Sequence, residues 1–185
     1  MAEHTTSARI EHALWPALLI AVSAVSTLGF ACVTPFAAFT VAAALVLPIR
    51  SALFSVAGVW LANQAIGFAF LGYPWAVDTM LWGVAIGASA LMTTVLAASV
   101  LRIGAAWNLA VALAMALIAA FIAYETGLFL VTFALGGRDA FTPAIIGQFA
   151  LLNLVWAVGL VGTHIIFRHS GSMARLRPSM GRAVG

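Results

Sequence analysis

The chain has 185 residues, 64% of them hydrophobic and only 7% charged, with a mean hydropathy of +1.14. A soluble domain covers itself with roughly 25% charged residues, so eight basic and five acidic side chains cannot wet a surface of this size, and the chain must face lipid. The basic residues are all arginines scattered along the sequence, which excludes a nucleic-acid surface that tracks phosphates; the lone Cys32 excludes an intrachain disulfide and any multi-cysteine metal site.

A helix needs roughly 20 apolar residues to cross about 30 Å of hydrocarbon, and the breaks in the sequence leave six such segments. After a polar tail over 1–12, the first segment, 13–33, ends at Thr34 and Pro35. Within it the stretch from Leu28 to Cys32 places its leucine too early, and Phe30 is too bulky, for a lipoprotein cleavage box, so this segment reads as a retained helix. The second segment, 36–49, has fourteen residues and is short for a span. Arg50 behind Pro48 opens the third, 51–71; Gly72, Tyr73 and Pro74 separate it from the fourth, 76–100. Arg102 and Gly104 precede the fifth, 105–135, which is long enough to tilt. Gly136, Gly137, Arg138 and Asp139 precede the sixth, 141–167, and a polar tail, 168–185, follows. The expected fold is an all-α polytopic membrane protein, one compact bundle of six transmembrane helices.

Assigning breaks alternately to the two sides of the membrane puts Arg9, Arg50, Arg102, Arg168, Arg175, Arg177 and Arg182 on one side and only Arg138 on the other. The positive-inside bias then predicts both termini in the cytoplasm and the loops near Pro35, Tyr73 and Arg138 outside, in the cytoplasmic membrane of the cell.

Polar groups are expensive inside a bilayer, so those within the segments are the candidates for function. At about 1.5 Å per residue, Asn63 and Gln64 lie roughly 11 to 12 Å below the outer end of the third segment. On the same scale Glu125 lies about 15 Å down the fifth, Gln148 about 10 Å down the sixth and Asn153 near 18 Å. Asp78 opens the fourth segment, and Cys32 and Thr34 close the first. All of these fall in the outer half, over inner halves of Ala, Val, Leu and Ile, which predicts a polar pocket that opens outward and is closed below by apolar packing. Against this stands the plainer reading, in which Asn63 and Gln64 are glue between helices and Glu125 pairs with Arg138.

Phe68, Tyr73, Trp75 and Trp82 rim the same end, as an interfacial aromatic belt or as ligand contacts. Trp60, Asn63, Gln64 and Gly67 share one helical face and interleave a ring with amides, as a planar heteroaromatic ligand requires. His164, near the inner end of the sixth segment, reads as a structural interfacial histidine. No nucleophile with its base, paired acid or Gly-rich phosphate loop occurs, so the chain is read as neither an enzyme nor a self-contained ATPase, and no cofactor is assigned.

Ala13, Ala17 and Ala21 recur on one face of the first segment, where another helix can approach closely, with Gly83 and Gly87 as a rival small pair. With this face, its length, its six segments and its outward polar residues, the chain resembles the S component, the substrate-binding membrane subunit, of energy-coupling factor vitamin transporters. The resemblance implies uptake of a vitamin-like ligand from outside. Asn63, Gln64, Trp60, Phe68, Tyr73, Trp75, Asp78, Trp82, Glu125, Arg138 and Gln148 are the candidate ligand contacts. It also implies docking through Ala13, Ala17 and Ala21 onto a transmembrane coupling subunit driven by ATPases. Some such receptors act alone on cobalamin, one type through a cysteine thiolate on cobalt, which makes cobalamin the ligand guess and adds Cys32 to the candidate contacts. The rival readings are a small helical scaffold or assembly factor without a ligand and, behind it, a cofactor-binding subunit using His164 and Cys32.

Overall fold

The computed structural model describes residues 15–24 and 34–175, with side chains as far as Ile166. Six helices follow in order: α1 (Trp15–Ala24), α2 (Phe36–Val46), α3 (Ile49–Ala69), α4 (Val77–Ile103), α5 (Leu109–Leu135) and α6 (Pro143–Arg175). Single 3-10 turns, Gly104–Ala106 and Arg138–Ala140, precede α5 and α6. Among the described residues there is no strand. Cys32, Ala13 and the polar tails before Trp15 and beyond Arg175 lie outside the described residues.

The helix ends follow from local chemistry. Pro35 and Pro48 precede the first turns of α2 and α3, where a residue with fixed φ is tolerated and the helix start is favoured. Asp78 sits in the first turn of α4 and Arg102 in its last, each complementing the helix dipole. The Asn108 side chain caps α5 by accepting from the Ala110 N–H at 2.9 Å. Gly136 and Gly137, with φ of 79° and 87°, end α5 in a backbone region that a β-carbon disfavours.

Among the described residues four helices are long and apolar enough to cross a membrane: α3, α4, α5 and the Pro143–Ile166 part of α6. In α6 only 17% of the most apolar window is buried within the protein, so most of that helix is apolar surface that has to meet lipid. The chain is thus a multi-pass helical membrane protein. The second predicted segment is an element of another kind. Helix α2 has 11 residues, about 16 Å of helix against about 30 Å of hydrocarbon. Every residue from Phe36 to Ala43 is buried, and α2 touches α3, α4, α5 and α6. It is the axis of the bundle.

Packing around that axis uses small residues. Ala37 and Val41 of α2 meet Ala97 of α4 and Ala116 and Ala120 of α5, so three backbones approach closely without large side chains between them. On the other side Phe39 packs with Val56 and Val59 of α3, Leu160 of α6, and Trp15 and Leu19 of α1. The Trp15 and His164 rings lie 5.5 Å apart, which places His164 at the contact of α1 with α6. Gly83 and Gly87 serve packing within the chain: α3 sets Gln64 against the first and Trp60 against the second.

These two glycines predict different outcomes. A β-carbon at position 87 would lie 2.6 Å from the Trp60 ring, whereas one at position 83 would meet the movable end of Gln64. Gly87→Ala is expected to cost about 1–3 kcal/mol and to lower the thermal midpoint in detergent. Gly83→Ala is expected to cost less. Equal midpoints for the two variants would contradict the packing described.

Candidate functional site

The N-terminus of α2 lies inside the bundle, and its first N–H groups take partners from within the protein. Pro35 offers no side-chain cap, and other elements supply the partners. The Asn153 side chain, on α6, accepts from the Ala38 N–H at 3.0 Å and donates to the Phe149 carbonyl at 2.9 Å. Thr34 offers its carbonyl to the Phe36 N–H at 2.8 Å, while its hydroxyl accepts from the Asn63 amide at 2.7 Å. Gln64 donates in turn to the Asn63 oxygen at 3.2 Å. Four polar side chains, Asn63 and Gln64 of α3, Asn153 of α6 and Thr34 just before α2, are thereby gathered at one depth.

Beside this network lies a cavity of about 410 Å³. Thr34 and Phe36 form its wall at the start of α2, and Asn63 and Gln64 its wall on α3. Helix α4 contributes Thr79, Trp82 and Ile86; α5 contributes Tyr124, Glu125 and Leu128. Phe149 and Asn153 of α6 complete the ring, and Tyr73 and Phe141, from the loops at the α3 and α5 ends, line it too. The cavity therefore sits at the end of the bundle opposite Arg50 and Arg102. Below it Phe39, Val56, Val59 and Ala90 are fully buried, and the hydroxyls of Thr40, Ser55 and Thr94 at that level are turned onto carbonyls of their own helices. Two backbone features shape the mouth. Gly67 has no β-carbon, and the Tyr73 ring folds back into that space while its N–H donates to the Gly67 carbonyl at 3.0 Å. Gly137, in the left-handed region, borders Trp82.

Of the residues singled out in the sequence, Asn63, Gln64, Tyr73, Trp82 and Glu125 come together on this cavity. Others are placed elsewhere. The Trp60 indole donates to the Gly83 carbonyl at 2.8 Å and sits in the α3–α4 contact, a turn deeper than the amides. Phe68 packs on Tyr73 and Trp75, and Trp75 is 77% exposed, outside the cavity. Asp78 and Gln148 are exposed. Arg138 lies with its guanidinium carbon 4.1 Å from the centre of the Phe133 ring, and no ion pair between it and Glu125 is found among the described residues. Cys32 and Ala13 lie outside the described residues, whereas Ala17 and Ala21 are exposed on α1.

Sequence reasoning missed Thr79, Tyr124, Phe141 and Phe149 as lining residues. Phase alone could have found Phe149, four residues before Asn153 and on the same helix face. Among the described residues no group of three His, Cys, Asp or Glu side chains could hold a metal ion.

Comparison with protein-family models, curated proteins and solved structures returns no match for this chain. The functional reading rests on the geometry of the site.

The cap on α2 makes a direct prediction. Asn153→Ala removes the acceptor of the buried Ala38 N–H and is expected to cost about 1–3 kcal/mol. Gln148→Ala, on an exposed position of the same helix, should stay within about 0.5 kcal/mol. Unfolding in a graded denaturing detergent measures both, and an Asn153→Ala protein as stable as Gln148→Ala would contradict the capping role.

Proposed function

We propose that this chain is a substrate receptor of the cytoplasmic membrane that takes up a small vitamin-like molecule from outside, in the manner of the S components it resembles. The observation that carries the reading is the cavity: amides of α3 and α6 and the Glu125 carboxyl group of α5 set among aromatic and aliphatic side chains, open at one end of the bundle and closed toward the other by packed side chains. Sites for small ligands have this form. In this reading all six helices belong to the membrane domain, both termini are cytoplasmic, and the arginine-poor end faces out, by the positive-inside bias.

A cavity of about 410 Å³ suits a molecule of one or two rings better than a corrinoid, so the reading favours a smaller ligand than cobalamin. The exposed Ala17 and Ala21 on α1 leave a small-residue face available to a coupling subunit, whose ATPases would supply the energy. The rival reading, a scaffold without a ligand, has the bonds of Asn63 to Thr34 and of Asn153 to Ala38 in its favour. It leaves the cavity and Glu125 unexplained.

The test is the composition of the purified protein. Native mass spectrometry of the full chain from mild detergent should find a small organic molecule bound, and Trp82→Ala should reduce its retention at least about tenfold, as loss of a stacking contact and its enclosure implies. Reproducibly empty protein, with no thermal shift from any of a panel of vitamins, would count against a receptor. For the docking face, Ala17→Leu should leave retention intact and abolish cellular uptake of the same molecule. Undiminished uptake would exclude that face.

A further inference from the structure

Resting on the receptor reading, we infer that the ligand is an organic cation, a flat one- or two-ring molecule carrying a ring or amine nitrogen charge, and that Glu125 is the residue that selects it. Glu125 lines the cavity, yet none of the cavity's described lining residues is Lys, Arg or His. Among the described residues the one arginine at this end, Arg138, is held over Phe133 and makes no ion pair with Glu125. A carboxylate at this depth in a bilayer needs a counter-charge or water, and an entering cation supplies the former.

The walls fit the same ligand class. Tyr73, Trp82, Tyr124 and Phe141 line the cavity together with Glu125, and aromatic faces attract cations, more strongly where water is excluded. Asn63, Gln64 and Thr34 add neutral amide and hydroxyl groups that can meet the edge of a ring without adding charge. The mouth has the same sign. Asp78 lies beside the lining residue Thr79, and Asp139 between the lining residues Gly137 and Ala140. With Arg138 as the single opposing charge, this end of the described protein carries a net −2 from Asp78, Glu125, Asp139 and Arg138. Charge of one sign around a low-dielectric cleft raises the local concentration of the opposite ion. An anionic ligand would meet like charge at the entrance and at Glu125; the opposing term is the positive end of α2, whose Phe36 and Ala38 N–H groups are already taken by Thr34 and Asn153.

A pair of probes of nearly one shape separates charge from fit. N-methylquinolinium is a permanent two-ring cation, and quinoline is its neutral counterpart at pH 8. Binding of each to the full chain in nanodiscs of zwitterionic lipid is measured by equilibrium dialysis against empty nanodiscs. The cation should bind at least about tenfold more tightly than quinoline, the ratio expected from one desolvated cation–aromatic contact and one charge pair. In Glu125→Gln that ratio should collapse to about one, and Glu125→Asp should restore most of it, with the melting temperature of each variant reporting its fold. Equal binding of the two probes, a ratio unchanged in Glu125→Gln, or no binding of N-methylquinolinium would overturn the cation assignment. The receptor reading fails separately, on empty protein in the mass-spectrometric test.

Discussion

The whole arrangement turns on one buried helix start. Helix α2 begins inside the bundle, at a proline without a capping side chain, where unsatisfied backbone N–H groups cost several kcal/mol each. That cost is met by side chains from neighbouring helices. Asn153 reaches across from α6 to the Ala38 N–H, and Thr34, held by Asn63 of α3, brackets the first turn. The amide side chains that serve the cap are thereby concentrated at one height, whereas the hydroxyls buried elsewhere, Thr40, Ser55 and Thr94, bond to carbonyls of their own helices.

From this constraint the pocket follows. A helix of about 16 Å fills the bundle axis over only part of the thickness spanned by its neighbours. The space above its N-terminus is walled by the longer helices α3 to α6, and the space along its length is filled by Phe39, Val41 and alanines. The asymmetry between the end that holds the cavity and the closed end is therefore built from helix length. It does not depend on any single side chain. Small residues make the walls close: Gly83 and Gly87 let α3 press Gln64 and Trp60 into α4, which fixes the amide at the cavity and the indole beneath it.

Depth was legible in the sequence because intramembrane polar residues are costly and must share partners. Counting residues from each segment's end placed Asn63, Gln64, Glu125 and Asn153 at similar heights, and all four line one cavity. Direction around the helix was less legible. Gln148 has a suitable depth but lies five residues from Asn153, about 140° away at 100° per residue, and it is exposed. Trp60 has the right face and the wrong height, and its indole is taken by the Gly83 carbonyl. Arg138 was the nearest basic residue in sequence to Glu125, yet Phe133, one helical turn and a loop away, holds its guanidinium. The short second segment signalled its oddity through length alone. That it forms the axis of the bundle depends on contacts with four other helices, which no local pattern encodes.

The central claim, that water enters a pocket from the outer face and stops above the apolar core, is tested most directly by thiol labelling in intact cells. In a Cys32→Ser background, Leu128→Cys lies on the cavity wall and Ala116→Cys in the dry cluster around α2. A membrane-impermeant methanethiosulfonate added outside should modify the first and leave the second unmodified. Failure to label Leu128→Cys, or equal labelling of both positions, would contradict the account.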